Sequence, residues 1–362
     1  MIRTFCSPAN YIQGANILDS HLEVFKALGK NGLIITDSFV WEMTGAKLAT
    51  QLAAMGLAIS KYLFKGESSE EEVAAIKASV AADLDFVIGL GGGKAIDVAK
   101  SVANQLNLQI AIVPTTAATD APTSRISVIY QEDGSFSHYQ LLKKNPDLVF
   151  VDTAVIVQAP TRFLASGIAD GLATFVEVQA IQKGHGKNLV GGSSTLAALA
   201  IAEQCEKTLF AEGELALKAN EMKVVTPAFE NVVEANTLLS GLGFESGGLA
   251  AAHALHNAFS VLRSEVHQLT HGEKVAFTTL VQLVLENAPL SRLNQFVKFY
   301  QALGLPTTLA EMKLADLSEA DLKLVAAHAV NENDTLQQMG LNLTAADIYA
   351  AILTLDNYVK SL

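Results

Sequence analysis

The sequence predicts an α/β unit built on a mainly parallel sheet over residues 1–160, followed by an all-α unit over residues 161–362. Two patterns carry this. Up to about residue 155, short β-branched runs alternate with helical stretches, the order produced by right-handed βαβ units. Beyond Ala159-Pro160 the strand signals nearly vanish, and helical periodicity rich in Ala, Leu, Glu and Lys continues almost to Leu362. A length of 362 residues accommodates both units, and 50% hydrophobic against 17% charged residues describes a compact globular chain.

In order along the chain, residues 32–36, 59–64, 86–90, 110–113 and 148–151 read as strands. Helices over 39–55, 69–82 and 94–106 separate the first four. Residues 124–141 read as a β-hairpin inserted into this pattern, with its turn at Asp133-Gly134. The helical half is interrupted at 184–192, Pro227, Pro289 and Gly304-Leu305-Pro306, and contains no internal repeat.

The predicted strand 86–90 runs into Gly91-Gly92-Gly93-Lys94 and a helix carrying Ala95, Ile96, Asp97 and Lys100. Consecutive glycines let backbone approach a diphosphate, and the N–H groups opening the helix favour an anion. The spacing is neither the GxGxxG nor the Walker fingerprint. A tight strand-to-helix turn is the competing explanation, although three successive glycines exceed what a turn needs. Asp37, just after the strand 32–36, is placed to accept hydrogen bonds from an adenosine ribose and to repel a 2′-phosphate, or simply to cap the next helix.

A second loop, Pro114-Thr115-Thr116-Ala117-Ala118-Thr119-Asp120, follows the strand 110–113. In an open parallel sheet it faces the same crevice as the glycine loop, where Asp120 either binds a polyol hydroxyl or caps a turn.

Four of the eight histidines, His253, His256, His267 and His271, fall in one window. An Ala/Leu-rich helix over 248–262 puts His253 and His256 on one face, and a turn at Gly272 leads into a helix over 273–286. Two such helices can bring His253 and His271 to one metal ion, with a carboxylate from elsewhere completing a three-ligand site. The best-placed carboxylate is Asp170, near the start of the first helix of the second unit. Polar residues satisfied inside an Ala-rich core are the alternative.

A net charge of −12 with no Lys/Arg run argues against nucleic acid or an anionic membrane as partner. No apolar run approaches the length of a membrane span and no signal-peptide core opens the chain, so the expected location is cytoplasmic. Cys6 and Cys205 are too few and too far apart for a disulfide framework or a CxxC site.

Taken together, Gly91-Gly92-Gly93-Lys94-x-x-Asp97, Pro114-Thr115 through Thr119-Asp120-Ala121-Pro122, Gly167-Ile168-Ala169-Asp170, Phe244 through His253-Ala254-Leu255-His256-Asn257, and His271-Gly272-Glu273-Lys274 resemble the metal-dependent polyol branch of the iron-containing alcohol dehydrogenases over nearly the whole chain. The resemblance implies a Rossmann-like parallel-sheet domain plus a helical domain, the architecture shared with dehydroquinate synthase and the group III alcohol dehydrogenases. It implies zinc bound at Asp170, His253 and His271, with the substrate there and at Asp120. NAD is implied at Asp37, Gly91, Gly92, Gly93, Lys94, Ala95, Ile96, Asp97, Thr115, Thr116, Ala117, Ala118, Ser124, Ile126 and Tyr130. A homo-oligomer, commonly an octamer, is implied as well. Iron-using relatives typically carry a histidine four residues after the metal aspartate; Thr174 stands there, which favours Zn²⁺ over Fe²⁺.

The expected reaction is NAD-dependent oxidation of glycerol to dihydroxyacetone, with hydride leaving a zinc-bound alkoxide. Asp120 holds the neighbouring hydroxyl, and His256 acts as a proton relay or support to the metal ligands. A dehydrogenase for 1,2-propanediol or for a hydroxycarboxylate is the nearest alternative, the latter because Arg125 stands where a small or apolar side chain is expected. A dehydroquinate-synthase-like lyase wants several cations beside the metal, and the sequence offers only Arg263 and Lys274. His267 is expected at the surface or lining the cleft.

Overall fold

The computed structural model describes residues 2–131, 136–262, 264–331 and 335–362. Its main sheet has six parallel strands in the order β1-β8-β5-β4-β2-β3. These are β1 (Tyr11–Gly14), β2 (Asn31–Thr36), β3 (Ala58–Leu63), β4 (Phe86–Gly91), β5 (Gln109–Pro114) and β8 (Leu148–Asp152). The five strands expected from sequence are all present. β1 went unseen because all four of its residues are half-buried and show no alternation.

Every residue of β4 is buried, as expected of a central strand covered on both faces. The chain leaves β2 for β3 on one side and returns to β4 on the other, so the ends of β2 and β4 diverge into a crevice. The hairpin strands β6 (Ile126–Tyr130) and β7 (Phe136–Leu141) pair antiparallel as expected. Their expected turn at Asp133-Gly134 lies outside the described residues, as does Arg263.

After Asp152 the described chain is helical. Its axis is the helix Thr161–Gly184, packed against Leu196–Glu221, Ser240–Gly247, Ala251–Ala258 and His271–Leu285. This corrects one expectation. The helix Thr161–Gly184 is long and apolar enough to cross a membrane, yet 94% of its most apolar window is buried inside the protein. Asp170, Glu177 and interspersed small residues hide it from a search for uninterrupted apolar runs.

Two glycines fix the approach of this helix to its neighbours. A Cβ on Gly167 would lie 1.8 Å from the Ala117 carbonyl oxygen, and one on Gly272 would lie 1.8 Å from that of Ser166. The helix therefore touches both the loop after β5 and the start of the helix His271–Leu285. One apolar cluster runs from Ile35 and Val87 through Ile168 and Leu172 to Phe277 and Leu355. Each large side chain buried this way contributes about 1.5–3 kcal/mol, so the sheet and the helical layer hold each other in register. A second cluster on the opposite sheet face includes Ile34, Phe86 and Phe150, with Phe25 packed edge-on against Phe150 at 5.2 Å.

Candidate active site

Asp170, His253 and His271 converge from three helices. The Nε2 atoms of His271 and His253 lie 3.1 Å and 3.4 Å from Asp170 Oδ1, and the three donor atoms fall within 4.8 Å of one another. His271 is the first residue of its helix, which Thr270 and Glu273 open with a capping box. The expected turn at Gly272 is thus a second helical position, where glycine is needed for contact with Ser166 rather than for chain reversal. Arg162 grips both oxygens of Glu273 at 2.6 Å and so anchors this helix start.

The donor set fits a divalent cation. Asp170 is buried, which alone would raise its pKa, but the charges and hydrogen bonds of His271 and His253 outweigh burial and hold it low. Burial opposes a charge on His253, yet the carboxylates of Glu177 and Asp170 push its pKa well above the ordinary value. Glu177 Oε2 meets His253 Nδ1 at 2.6 Å. Two buried carboxylates around one imidazole call for positive charge at the point where Asp170, His253 and His271 meet.

Asp120 sits beside the triad. Its N–H donates to Asp170 Oδ2 at 3.3 Å and its Oδ2 accepts from Ser240 Oγ at 2.7 Å. Burial, then the negative charge of Asp170, raises its pKa well above the usual carboxylate range. Thr174, one helical turn after Asp170, shares a hydrogen bond with Ser240 Oγ at 2.9 Å, so this position supports Asp120 through Ser240.

His256 packs its ring edge-on against His271, centroids 4.3 Å apart, and is 8% exposed. Its Nδ1 lies 3.2 Å from Asn257 Oδ1, while Asn257 Nδ2 donates to the Tyr139 hydroxyl at 2.9 Å. An amide oxygen only accepts, so Nδ1 carries the proton and Nε2 is left as an acceptor. That Nε2 is buried without a partner among the described residues and borders the cleft. Burial, then the neighbouring His271, lowers the pKa of His256 well below its ordinary value. His267 is exposed at the cleft edge, with Nε2 bonded to the Leu262 carbonyl at 2.6 Å.

The cleft encloses about 480 Å³ between the glycine loop and the histidines. Gly93, Lys94, Asp97, Asp120, Ser124, Ile126 and Tyr130 line it. Gly91 has φ 147°, which favours glycine, and the helix behind the loop starts at Gly93 with no side-chain cap. The N–H groups of Gly93, Lys94 and Ala95 therefore have no partner within the helix. The Ala95 and Ile96 side chains are buried in the core, and the Ile96 N–H already bonds the Gly92 carbonyl, so Ile96 is a packing residue. Asp97 bonds the Val128 N–H and pairs with Lys100 at 3.0 Å. Lys100, 1% exposed, also donates to the carbonyls of Ala121 and Ile126, stapling the second loop to the glycine-loop helix.

Other expected cofactor residues lie outside this cleft. Thr115 and Ala117 are buried beneath it; the carbonyls of Ala117 and Ala118 bond Asn236 and Ser166, and Thr116 is half-buried beside Gly92. Asp37 caps the turn after β2 by accepting from the Val40 N–H at 2.9 Å. Arg125 does not line the cleft: its N–H bonds Glu245 and its guanidinium lies 3.9 Å from the same carboxylate. Lys274 does line it, its ammonium without a hydrogen bond or ion pair among the described residues, and burial followed by Lys94 lowers its pKa to about 8.

Sequence reasoning missed Glu177, Ser240 and Arg162, whose partners lie tens of residues away, so no local pattern announced them. It named Lys100 beside Asp97 but not its hold on the carbonyls of Ala121 and Ile126, beyond the next strand.

A parallel-sheet crevice with a glycine loop, facing two histidines and an aspartate on a helical layer, defines a metal-dependent oxidoreductase. Residues 8–153 match the family model for iron-containing alcohol dehydrogenase. A glycerol dehydrogenase from Escherichia coli O6:H1 is 44% identical over 99% of this chain and 98% of its own. A glycolaldehyde reductase from Halobacterium salinarum is 46% identical over 98% of each chain. The crystal structure of glycerol dehydrogenase from Schizosaccharomyces pombe superposes with a TM-score of 0.97 at 40% identity, covering 99% of this chain and 92% of that one. The chain belongs to the iron-containing alcohol dehydrogenases, as its sequence motifs led one to expect.

Proposed function

We propose that this protein oxidises glycerol to dihydroxyacetone, reversibly, with NAD and a zinc ion. The observation that carries the reading is the convergence of Asp170, His253 and His271 beside Asp120 in the cleft that begins at the glycine loop. Asp170, His253 and His271 would hold the metal, and Thr174 being bonded to Ser240 leaves a three-ligand set that suits Zn²⁺. The N–H groups at Gly93 to Ala95, with Lys94 and Asp37, would hold the dinucleotide. When bound, the metal makes a hydroxyl proton more acidic and the nicotinamide takes up hydride.

The chain's own residues supply binding and direction. Asp120, fixed by Ser240, keeps its other carboxyl oxygen free of protein partners among the described residues and meets a hydroxyl beside the reacting carbon. His256 Nε2 accepts a second O–H, and its neutral ring can take a proton leaving the cleft. Two polar groups beside one metal position select a substrate with oxygens on adjacent carbons. Glycerol and 1,2-propanediol meet that description, and so does glycolaldehyde, which the similar Halobacterium protein is named for reducing. A 2-hydroxy acid would lack Arg125, which faces Glu245. The helical layer leaves Leu196, Leu215, Met222 and Leu290 exposed, which supports a homo-oligomer; a cytoplasmic location goes with this reading.

The test is NADH formation at 340 nm from NAD⁺ with glycerol, 1,2-propanediol and a 2-hydroxy acid, with and without chelator, beside NADH consumption with glycolaldehyde. Chelator-sensitive turnover of the diols supports the proposal. Turnover of the acid alone refutes it, and glycolaldehyde reduction without diol oxidation moves the substrate to the aldehyde.

A further inference from the structure

The helix Ala251–Ala258 carries His253 and His256 but opens without a side-chain cap of its own. Its start is served instead from the helix Thr161–Gly184. Glu177, fully buried, accepts from the N–H groups of Ala250 at 2.8 Å and His253 at 3.0 Å through Oε1. The other oxygen, Oε2, takes the His253 ring nitrogen Nδ1 at 2.6 Å. Glu177 lies seven residues after Asp170, two helical turns along, so one helix face presents both carboxylates to the same imidazole. The preceding helix, Ser240–Gly247, is likewise drawn close to Thr161–Gly184, with Gly247 facing Val178 where a Cβ would lie 2.3 Å from Cγ2.

We propose that Glu177 is a positioning residue: it fixes the His253 ring with its proton on Nδ1, so that the Nε2 lone pair points at the metal position beside Asp170. A carboxylate only accepts, so the nitrogen facing it must carry hydrogen, and the lone pair is thereby assigned to the opposite nitrogen. The two functions reside on different oxygens. Oε1 completes the helix start; Oε2 sets the ring. Partners of this kind behind a histidine ligand typically govern metal affinity by 10–100-fold.

The inference rests on the proposed metal site, and Glu177→Gln separates its parts. The glutamine oxygen still accepts from the two backbone N–H groups, while its NH₂ now faces Nδ1. That turns Nδ1 into an acceptor and puts hydrogen on Nε2, where it blocks coordination. Zinc affinity is measured by competition with a chromophoric chelator on wild type, Glu177→Gln, Glu177→Ala and Asp170→Asn, with far-UV circular dichroism and Tm alongside. ¹⁵N spectra of the zinc-loaded protein read which nitrogen of His253 carries the proton.

The expected result is zinc affinity roughly 10–100-fold weaker in Glu177→Gln, with unchanged circular dichroism, and a wild-type spectrum showing Nδ1–H. Glu177→Ala should lose affinity and also Tm. Unchanged zinc affinity in Glu177→Gln, or a proton on Nε2 of His253 in the wild type, overturns the proposal. Wild type and Asp170→Asn binding zinc alike overturns the metal site itself, and the inference with it.

Discussion

Replacing Lys100 with methionine keeps the length of the side chain and removes only its charge. The ammonium group lies 3.0 Å from Asp97 Oδ1, and the pair is buried, so Lys100→Met leaves the Asp97 carboxylate with the Val128 N–H and no cation in contact. Breaking a buried pair from one side costs about 3–5 kcal/mol. For 362 residues at about 2.1 cal/mol/K each, the unfolding entropy is about 0.8 kcal/mol/K, so Tm should fall by about 4–7 °C.

The loss has a pH signature. Burial already raises the pKa of Asp97 and Lys100 opposes the rise, so without Lys100 it climbs further above the unfolded value. The folded variant then binds more protons than the unfolded chain, and its stability falls as pH rises through that interval. The deficit relative to wild type should be small in acid and grow as pH rises. Because Lys100 also holds the carbonyls of Ala121 and Ile126, KM for the dinucleotide should rise with little change in far-UV circular dichroism. Differential scanning calorimetry across pH, with the Asp97→Asn/Lys100→Met double variant, decides the matter. A Tm within about 1 °C of wild type at pH 8 would refute the reasoning; so would a double variant no more stable than the single one.

Gly167→Ala would press a methyl into the Ala117 carbonyl and should cost about 1–3 kcal/mol or more in chemical denaturation. Gly92→Ala meets nothing closer than 3.7 Å, so it should fold normally and lose dinucleotide affinity instead. Asp37→Ala should lower stability by about 1 kcal/mol through the lost Val40 cap and narrow the NAD/NADP ratio of kcat/KM. Lys274 titrates near pH 8 in the free protein, so its charge is present below that pH and lost above it. Dinucleotide affinity by fluorescence titration should weaken between pH 7 and 9.5 in wild type and stay flat in Lys274→Met. Stability of the free protein should move the other way: with the Lys274 pKa lowered, the folded state binds fewer protons than the unfolded chain above pH 8, and Tm should gain there.

The sheet was legible because β2, β4, β5 and β8 are buried on both faces and so spell continuous apolar runs. The convergence of Asp170, His253 and His271 was legible because His253 and His271 lie 18 positions apart in one histidine-rich window; Asp170, expected near a helix start, instead stands nine residues into Thr161–Gly184. Side-chain direction was not. Arg125 sits one residue from Ser124 in the cleft yet turns to Glu245, because both lie in the bend before β6, where no strand or helix period sets which way a side chain faces. The reason for Gly272 was also hidden: a glycine in sequence suggests a turn, and only the position of Ser166 reveals that it admits a neighbouring helix.

The helix Thr161–Gly184 has a further consequence, for synthesis of the chain. It emerges from the ribosome before the helices Leu196–Glu221 and His271–Leu285 that will cover it, and by length and hydropathy it would suit a bilayer. Asp170 stands near the middle of that span, and an aspartate there costs membrane insertion about 2.5–3.5 kcal/mol, with Glu177 adding a second charge. The carboxylates that hold the histidines thus also mark the nascent segment as one to be folded rather than inserted, and a variant that neutralises both would put its targeting, as well as its chemistry, at risk.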